Sequence, residues 1–267
     1  ELTLRRTACA SALAADYLVI KNADTLLMIG TGNLAPHLIK AHCVVRDYSR
    51  ILIWGRNEEK AERLARSLDI KDKEIMAKND LKEALNDADT ISCATLSQKP
   101  LIMGDWIKPG QHLDLVGSFT PDMSEADSKA IAMSKIVVDT YEGALSESGE
   151  LINALKEGSI KKKHILSDLR ELVMGKKNIR NDTNDITLFK SVGTALEDLA
   201  AAQLVIEKNL EETKVYRVSH PSKKTWEVEG KNEKEAIRRY KDEVGLKSDA
   251  GIKTLLIKDV GEEKKDP

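Results

Sequence analysis

Short apolar runs alternate along most of the chain with stretches whose apolar positions recur every three or four residues. Residues 25–29 are uninterruptedly apolar after Thr25, the pattern of a strand buried on both faces. Residues 34–45 follow with helical spacing, and Pro36 sits in the first turn, where a helix tolerates it. The alternation continues with strands at 50–54, 74–77, 90–94, 111–116 and 136–139, and helices at 58–68, 80–86 and 124–134. Helices at 147–157 and 166–174, a last strand at 186–191 and an alanine-rich helix at 195–209 complete this part. Strands joined through helices need right-handed crossovers. The prediction is therefore α/β, with a doubly wound parallel sheet.

Composition shifts near Glu211 towards lysine and glutamate. Strands at 215–218 and 225–229, a helix at 233–244 and a strand at 253–260 predict a small appended α+β segment over 211–267, in ββαβ order. Tyr216, Trp226 and Tyr240 are its expected core, and 262–267 is expected to fray.

The chain of 267 residues is 41% apolar but only 4% aromatic, so its core must be built from Leu, Ile, Val and Ala. A net charge of -2 on 32% charged residues gives no single-signed surface for nucleic acid or membrane. Arg5 and Arg6 before an alanine-rich stretch imitate a leader, but the stretch is weakly apolar and Asp16 follows; a helix fits better. No apolar run approaches the ~20 residues of a membrane span. Cys9, Cys43 and Cys93 are dispersed and form no metal-ligating spacing, which predicts reduced thiols, no metal site and a cytoplasmic location.

Gly30-Thr31-Gly32-Asn33-Leu34-Ala35 has the form G-x-G-x-x-A directly after the first strand and at the start of a helix. That context marks a Rossmann dinucleotide site: Gly30 makes the tight turn, Gly32 lets backbone approach a pyrophosphate, and Ala35 lets helix and strand pack closely. The helix N-terminus offers its dipole to the phosphates. The second strand ends in Trp54-Gly55-Arg56-Asn57, where an NAD site carries an acid. Arg56 can pair with a 2′-phosphate, so NADP(H) is preferred and NAD(H) remains admissible. The alternative reading makes Arg56 a solvated charge and Asn57 a helix cap.

Five segments taken together resemble the ornithine cyclodeaminase/mu-crystallin family: 2–8, 11–15, 27–32, Val116-Gly117-Ser118-Phe119-Thr120-Pro121-Asp122, and Phe189-Lys190-Ser191-Val192-Gly193-Thr194-Ala195-Leu196-Glu197-Asp198. The resemblance runs through residues 2–210. It implies that residues 1–22 are a helix belonging to a substrate and dimerisation domain, that 23–194 form the NADP(H)-binding domain, and that 195–210 return to the substrate domain. It implies that Arg6 clamps a substrate carboxylate, that Asn33 and Leu34 lie at the pyrophosphate turn, and that Thr95, Ser191, Val192 and Gly193 flank the nicotinamide. Expected partners are a small imino- or amino-acid substrate and a second copy of the chain. Family members carry about a hundred further residues before the Arg6 helix, so most of the substrate domain is expected to be missing here. Cyclodeaminases place a proton-carrying Asp where this chain has Phe119. The resemblance thus favours an NADP(H)-dependent reductase of cyclic imino acids over an ornithine cyclodeaminase; a non-catalytic NADPH-binding protein is the alternative from another class.

Overall fold

The computed structural model describes residues 1–211 and 214–259, in two compact units that divide after Asp198. The first unit is an eight-stranded sheet in the order β3-β2-β1-β4-β5-β8-β6-β7. Its strands are β1 (Thr25–Ile29), β2 (Arg50–Trp54), β3 (Glu74–Ala77), β4 (Thr90–Cys93), β5 (His112–Leu115), β6 (Lys135–Val138), β7 (Ile165–Asp168) and β8 (Thr187–Lys190). Every pairing is parallel. The helices are α1 (Leu2–Leu18), α2 (Ala35–Val45), α3 (Glu58–Ser67), α4 (Leu81–Asp87), α5 (Ser128–Met133), α6 (Tyr141–Glu147), α7 (Gly149–Lys156), α8 (Leu169–Val173) and α9 (Ala195–Glu211).

The expected double winding is present and follows from β1. Alternate residues of this strand face opposite ways. Leu27 and Ile29 join a core with α4, α5, α6 and α7, whereas Leu26 and Met28 join one with α1, α2 and α3. The chain winds outward through β2 and β3, then returns to β4 on the other side of β1. That reversal opens a crevice at the carboxyl ends of β1 and β4, the usual ligand position in such sheets.

Three helices differ from expectation. The 124–134 helix begins only at Ser128, where Asp127 Oδ1 accepts the Ala130 amide at 2.7 Å; Ala126 instead bridges Ile102 in strand fashion. The 147–157 helix begins only at Gly149, capped by the Ser148 side chain, and a separate helix, α6, which the sequence pattern did not predict, ends at Glu147. The 166–174 helix is preceded by β7, because Ile165 and Ser167 are buried in strand alternation before Asp168 caps α8. Of the cysteines only Cys93 is buried; Cys43 is half-buried and Cys9 exposed.

The second unit contains β9 (Lys214–His220), β10 (Lys223–Gly230), α10 (Glu233–Val244) and β11 (Lys253–Asp259), with antiparallel strands in the order β10-β9-β11. Asn232 caps α10, and Gly245 ends it at φ 70. Tyr216 and Tyr240 join the core as expected, but Trp226 stays 38% exposed. The expected strand end at Val260 and fraying at 262–267 lie outside the described residues. Among those described, no helix is long and apolar enough to cross a membrane.

Candidate dinucleotide and substrate site

The two fingerprint glycines are glycine for different reasons. Gly30 has φ 117, and a Cβ there would lie 2.4 Å from the Ala94 carbonyl oxygen. Conformation and packing both demand it. Gly32 is not in the left-handed region, and a Cβ there would meet nothing within 4 Å. Nothing among the described residues requires Gly32 to be bare. Its missing side chain keeps clear the space before α2, whose N-terminus has no side-chain cap. An unfilled space before uncapped amides fits a pyrophosphate.

Two cavities meet at this turn and share Gly32, Ala94, Thr95 and Leu96. One, of about 380 Å³, runs past Gly30 and Thr31 to Trp54, Gly55, Arg56 and Asn57. Asn57 is structurally engaged, since its side chain accepts the Lys60 amide at 2.8 Å and caps α3. Arg56 stands exposed beside it. Lys60, which the sequence reading did not select, lines the same cavity and adds a second cation one turn into α3. A separate cavity of about 410 Å³ lies by Asp80, Glu83 and Trp106, away from the glycine turn.

The second cavity at the turn, of about 520 Å³, brings together Arg6, Asn33, Leu34, Thr95, Phe119, Ser191, Val192 and Gly193. These predicted residues come from five separate parts of the chain. Asp139 organises the 191–193 turn: its Oδ2 accepts the Val192 and Gly193 amides at 2.7 and 2.6 Å and the Ser191 hydroxyl at 3.3 Å. Gly193 has φ 91, and a Cβ there would sit 2.8 Å from Arg6 Nη1.

Arg6 reaches this cavity already engaged. Its Nη1 donates to Glu197 at 2.8 Å and its Nε to Asp198 at 3.0 Å, and the side chain is only 14% exposed. Burial pushes the Glu197 carboxyl up to about 6, while the Arg6 guanidinium pulls it down. Among the described residues Nη2 forms no hydrogen bond, so one nitrogen of the guanidinium is unpaired there. Phe119 is 44% exposed at the cavity wall. Asp122, the nearest acid in sequence, is tied to Thr120 and Gln98 outside the cavity.

Beneath the cavity lies a buried polar cluster absent from the sequence reading. Glu125 Oε1 accepts the Thr95 amide at 2.7 Å and its hydroxyl at 2.9 Å, and Oε2 accepts the Gly117 amide at 2.7 Å. The Lys190 ammonium lies 3.2 Å from Glu150 and donates to Ser118 at 3.0 Å. Ser118 in turn donates to Glu150. Glu125, Glu150 and Lys190 are all fully or almost fully buried. The one signal available was Lys190, a charge inside an apolar strand.

A doubly wound sheet with an open glycine turn at its switch point defines a dinucleotide-binding α/β fold. The chain matches the ornithine cyclodeaminase/mu-crystallin family over residues 1–213, and belongs to it. It is 44% identical to Protein SAR DEFICIENT 4 of Arabidopsis thaliana, over 78% of this chain and 66% of that one. It is 38% identical to a Delta(1)-pyrroline-2-carboxylate reductase of Colwellia psychrerythraea, again over 78% and 66%. The Thermococcus litoralis Delta(1)-pyrroline-2-carboxylate reductase, solved with NADH and L-proline, superposes with a TM-score of 0.76 at 39% identity. That match covers 79% of this chain and 65% of the other. The chain thus spans just under two thirds of the length of these relatives.

Proposed function

We propose that this chain binds NADP(H) and forms the cofactor half of a reductase of cyclic imino acids, such as pyrroline-2-carboxylate or piperideine-2-carboxylate. The observation that carries the reading is the joint cavity, with an open glycine turn at one end and the Arg6 guanidinium at the other. The relatives named Delta(1)-pyrroline-2-carboxylate reductase support the substrate class. When bound, the dinucleotide supplies a hydride. The chain's own residues hold and orient. The free edge of Arg6 grips the carboxylate, Phe119 supplies an apolar wall that excludes water, and the Asp139-braced turn fixes the far side of the cavity. Orientation and charge placement then carry most of the rate gain.

NADPH over NADH follows from Arg56 and Lys60 beside a strand end without an acid. Phe119 at the acidic position of cyclodeaminases argues against ammonia release from ornithine. The capture of Arg6 by Glu197 and Asp198 favours a second reading for this 267-residue polypeptide, a nucleotide binder without turnover. Pairing with a second copy and a cytoplasmic location complete the proposal. The test of cofactor choice is a fluorescence titration with both nucleotides. NADPH should bind roughly ten- to a hundred-fold more tightly, the value of one charge-assisted phosphate contact. Arg56→Ala should remove that margin and leave NADH unchanged. Equal binding of the two nucleotides by the unaltered chain refutes the preference.

A further inference from the structure

Glu125 is placed to do more than brace two loops. It clamps the ends of β4 and β5 by taking the Thr95 and Gly117 amides, and both of those residues line the larger cavity. Its third bond comes from the Thr95 hydroxyl, which also accepts the Ser97 amide at 3.4 Å. Among the described residues that hydroxyl makes the one side-chain hydrogen bond between the buried carboxyl and a residue lining the cavity; the other two come from backbone amides. The groups facing Glu125 set its charge. Burial and Glu150 from α7 favour the protonated carboxyl, whereas Lys190 from β8, the Cys93 thiol from β4 and the Thr95 amide favour the ionised one. With both carboxylates ionised and Lys190 charged, the cluster holds one uncompensated negative charge away from water. One proton makes it neutral, and burial pushes Glu125 up to about 7.

A nicotinamide ring is neutral when reduced and cationic when oxidised, so its charge and a buried carboxylate are coupled at short range. We propose that Glu125 is the proton-holding residue of this site, protonated while the reduced ring is bound and releasing its proton through the Thr95 hydroxyl when the ring becomes a cation. The inference rests on the reductase reading above. The balance is one hydride and one proton per imine. The carbon gains a C–H bond from the reduced nicotinamide, and the nitrogen gains an N–H bond from the Thr95 hydroxyl. Thr95 recovers a proton from Glu125, whose O–H bond breaks to leave a carboxylate; solvent restores it in the next cycle. Glu125 touches neither substrate nor ring, and so acts as a positioning residue through Thr95. This arrangement supplies a proton where Phe119 cannot.

The test needs binding rather than turnover. Calorimetry at pH 7 in two buffers of different ionisation enthalpy counts the protons exchanged on binding NADP+ and NADPH. Their phosphates titrate alike and cancel in the difference. NADP+ should release more protons than NADPH, by about 0.4 proton for a tenfold change in the acidity of the carboxyl. Glu125→Gln should abolish the difference, and Glu125→Asp should restore part of it. Equal proton counts for the two forms on the unaltered chain overturn the proposal without any variant, as does a difference that survives Glu125→Gln. Binding with no proton difference sinks this inference alone; no binding of either nucleotide sinks the site reading with it.

Discussion

At the scale of single residues, the two fingerprint glycines separate folding from binding. Gly30→Ala forces a side chain into a φ of 117 and against the Ala94 carbonyl. Strain of this kind costs about 1–3 kcal/mol before the clash is counted. Gly32→Ala meets nothing within 4 Å, so its effect on stability should stay within about 0.5 kcal/mol. It should nevertheless weaken NADPH at least about tenfold, because the methyl enters space kept open for the pyrophosphate. Thermal melts paired with nucleotide titrations separate the two effects. Unchanged affinity in Gly32→Ala would show that the open space is not the pyrophosphate seat. Placement was legible where one short stretch held it: Gly30, Gly32 and Arg56, singled out by their neighbours in sequence, line one cavity. Glu125 was not legible, because its partners Thr95 and Gly117 are 30 and 8 residues away and meet it only after β4 and β5 pair. Arg6 was half legible. Its place at the cavity follows from the motif, but its capture by Glu197 and Asp198 depends on where α9 begins, 191 and 192 residues later.

At the scale of elements, the sheet was read well because most of its interior strands are buried on both faces and stand out as short apolar runs between helical stretches. β7 was missed because four residues at the sheet edge, followed at once by a helix, leave too little of the period of two to outweigh the period of the helix. The interior strands also carry buried titratable groups that make stability depend on pH. On β5, burial drives His112 down to about 3, from 6.5 in the unfolded chain. Between those values the unfolded chain binds more protons. The His112 contribution is therefore present above about pH 6.5 and is lost as pH falls. Glu125 is raised from 4.5 to about 7, so the folded chain binds more protons in that window. Its contribution is present below about 4.5 and is lost as pH rises. Glu197, raised to about 6, adds to the Glu125 slope. Asp114 and Asp185 are lowered from 3.8 and act below this window. Between pH 4.5 and 6 two raised carboxyls oppose one lowered imidazole, so the unaltered chain should lose stability as pH rises, by about tenfold in the folding constant per pH unit in urea unfolding. Glu125→Gln should leave Glu197 and His112 in balance and the profile nearly flat over this window. His112→Asn should steepen the fall of stability with pH. Parallel profiles for the two variants would show that these groups do not titrate as their burial dictates.

At the scale of the whole molecule, the question is what the 267-residue polypeptide can do with the groups it contains. The half of the joint cavity proposed to hold the cofactor carries the glycine turn, the uncapped α2, Arg56 and Lys60, and the Thr95 and 191–193 walls. Tight nucleotide binding needs little more. Reduction is more demanding. The imine carbon must be held about 3–3.5 Å from the hydride, and loss of that alignment forfeits several kcal/mol of barrier reduction. As a cation for the substrate carboxylate the larger cavity brings Arg6 alone among the described residues, with two of its three nitrogens already given to Glu197 and Asp198. One remaining Nη2 contact fixes a carboxylate at a point but leaves the ring free to turn about it. Nearby, Leu2, Leu13 and Tyr17 of α1 and Leu196 of α9 stand 40%, 40%, 46% and 69% exposed, apolar positions with no covering partner among the described residues. This polypeptide should therefore bind NADPH and turn over slowly or not at all. The measurement is paired: calorimetry for NADPH, then NADPH oxidation with Delta(1)-piperideine-2-carboxylate under saturating nucleotide. Binding without oxidation is the expected result. Oxidation at an ordinary enzymatic rate, about 1–1000 per second, would mean that Arg6 and its neighbours orient the imine unaided or that a second copy completes the cavity. Dilution then distinguishes these outcomes, since a rate per chain that falls with concentration requires the second copy.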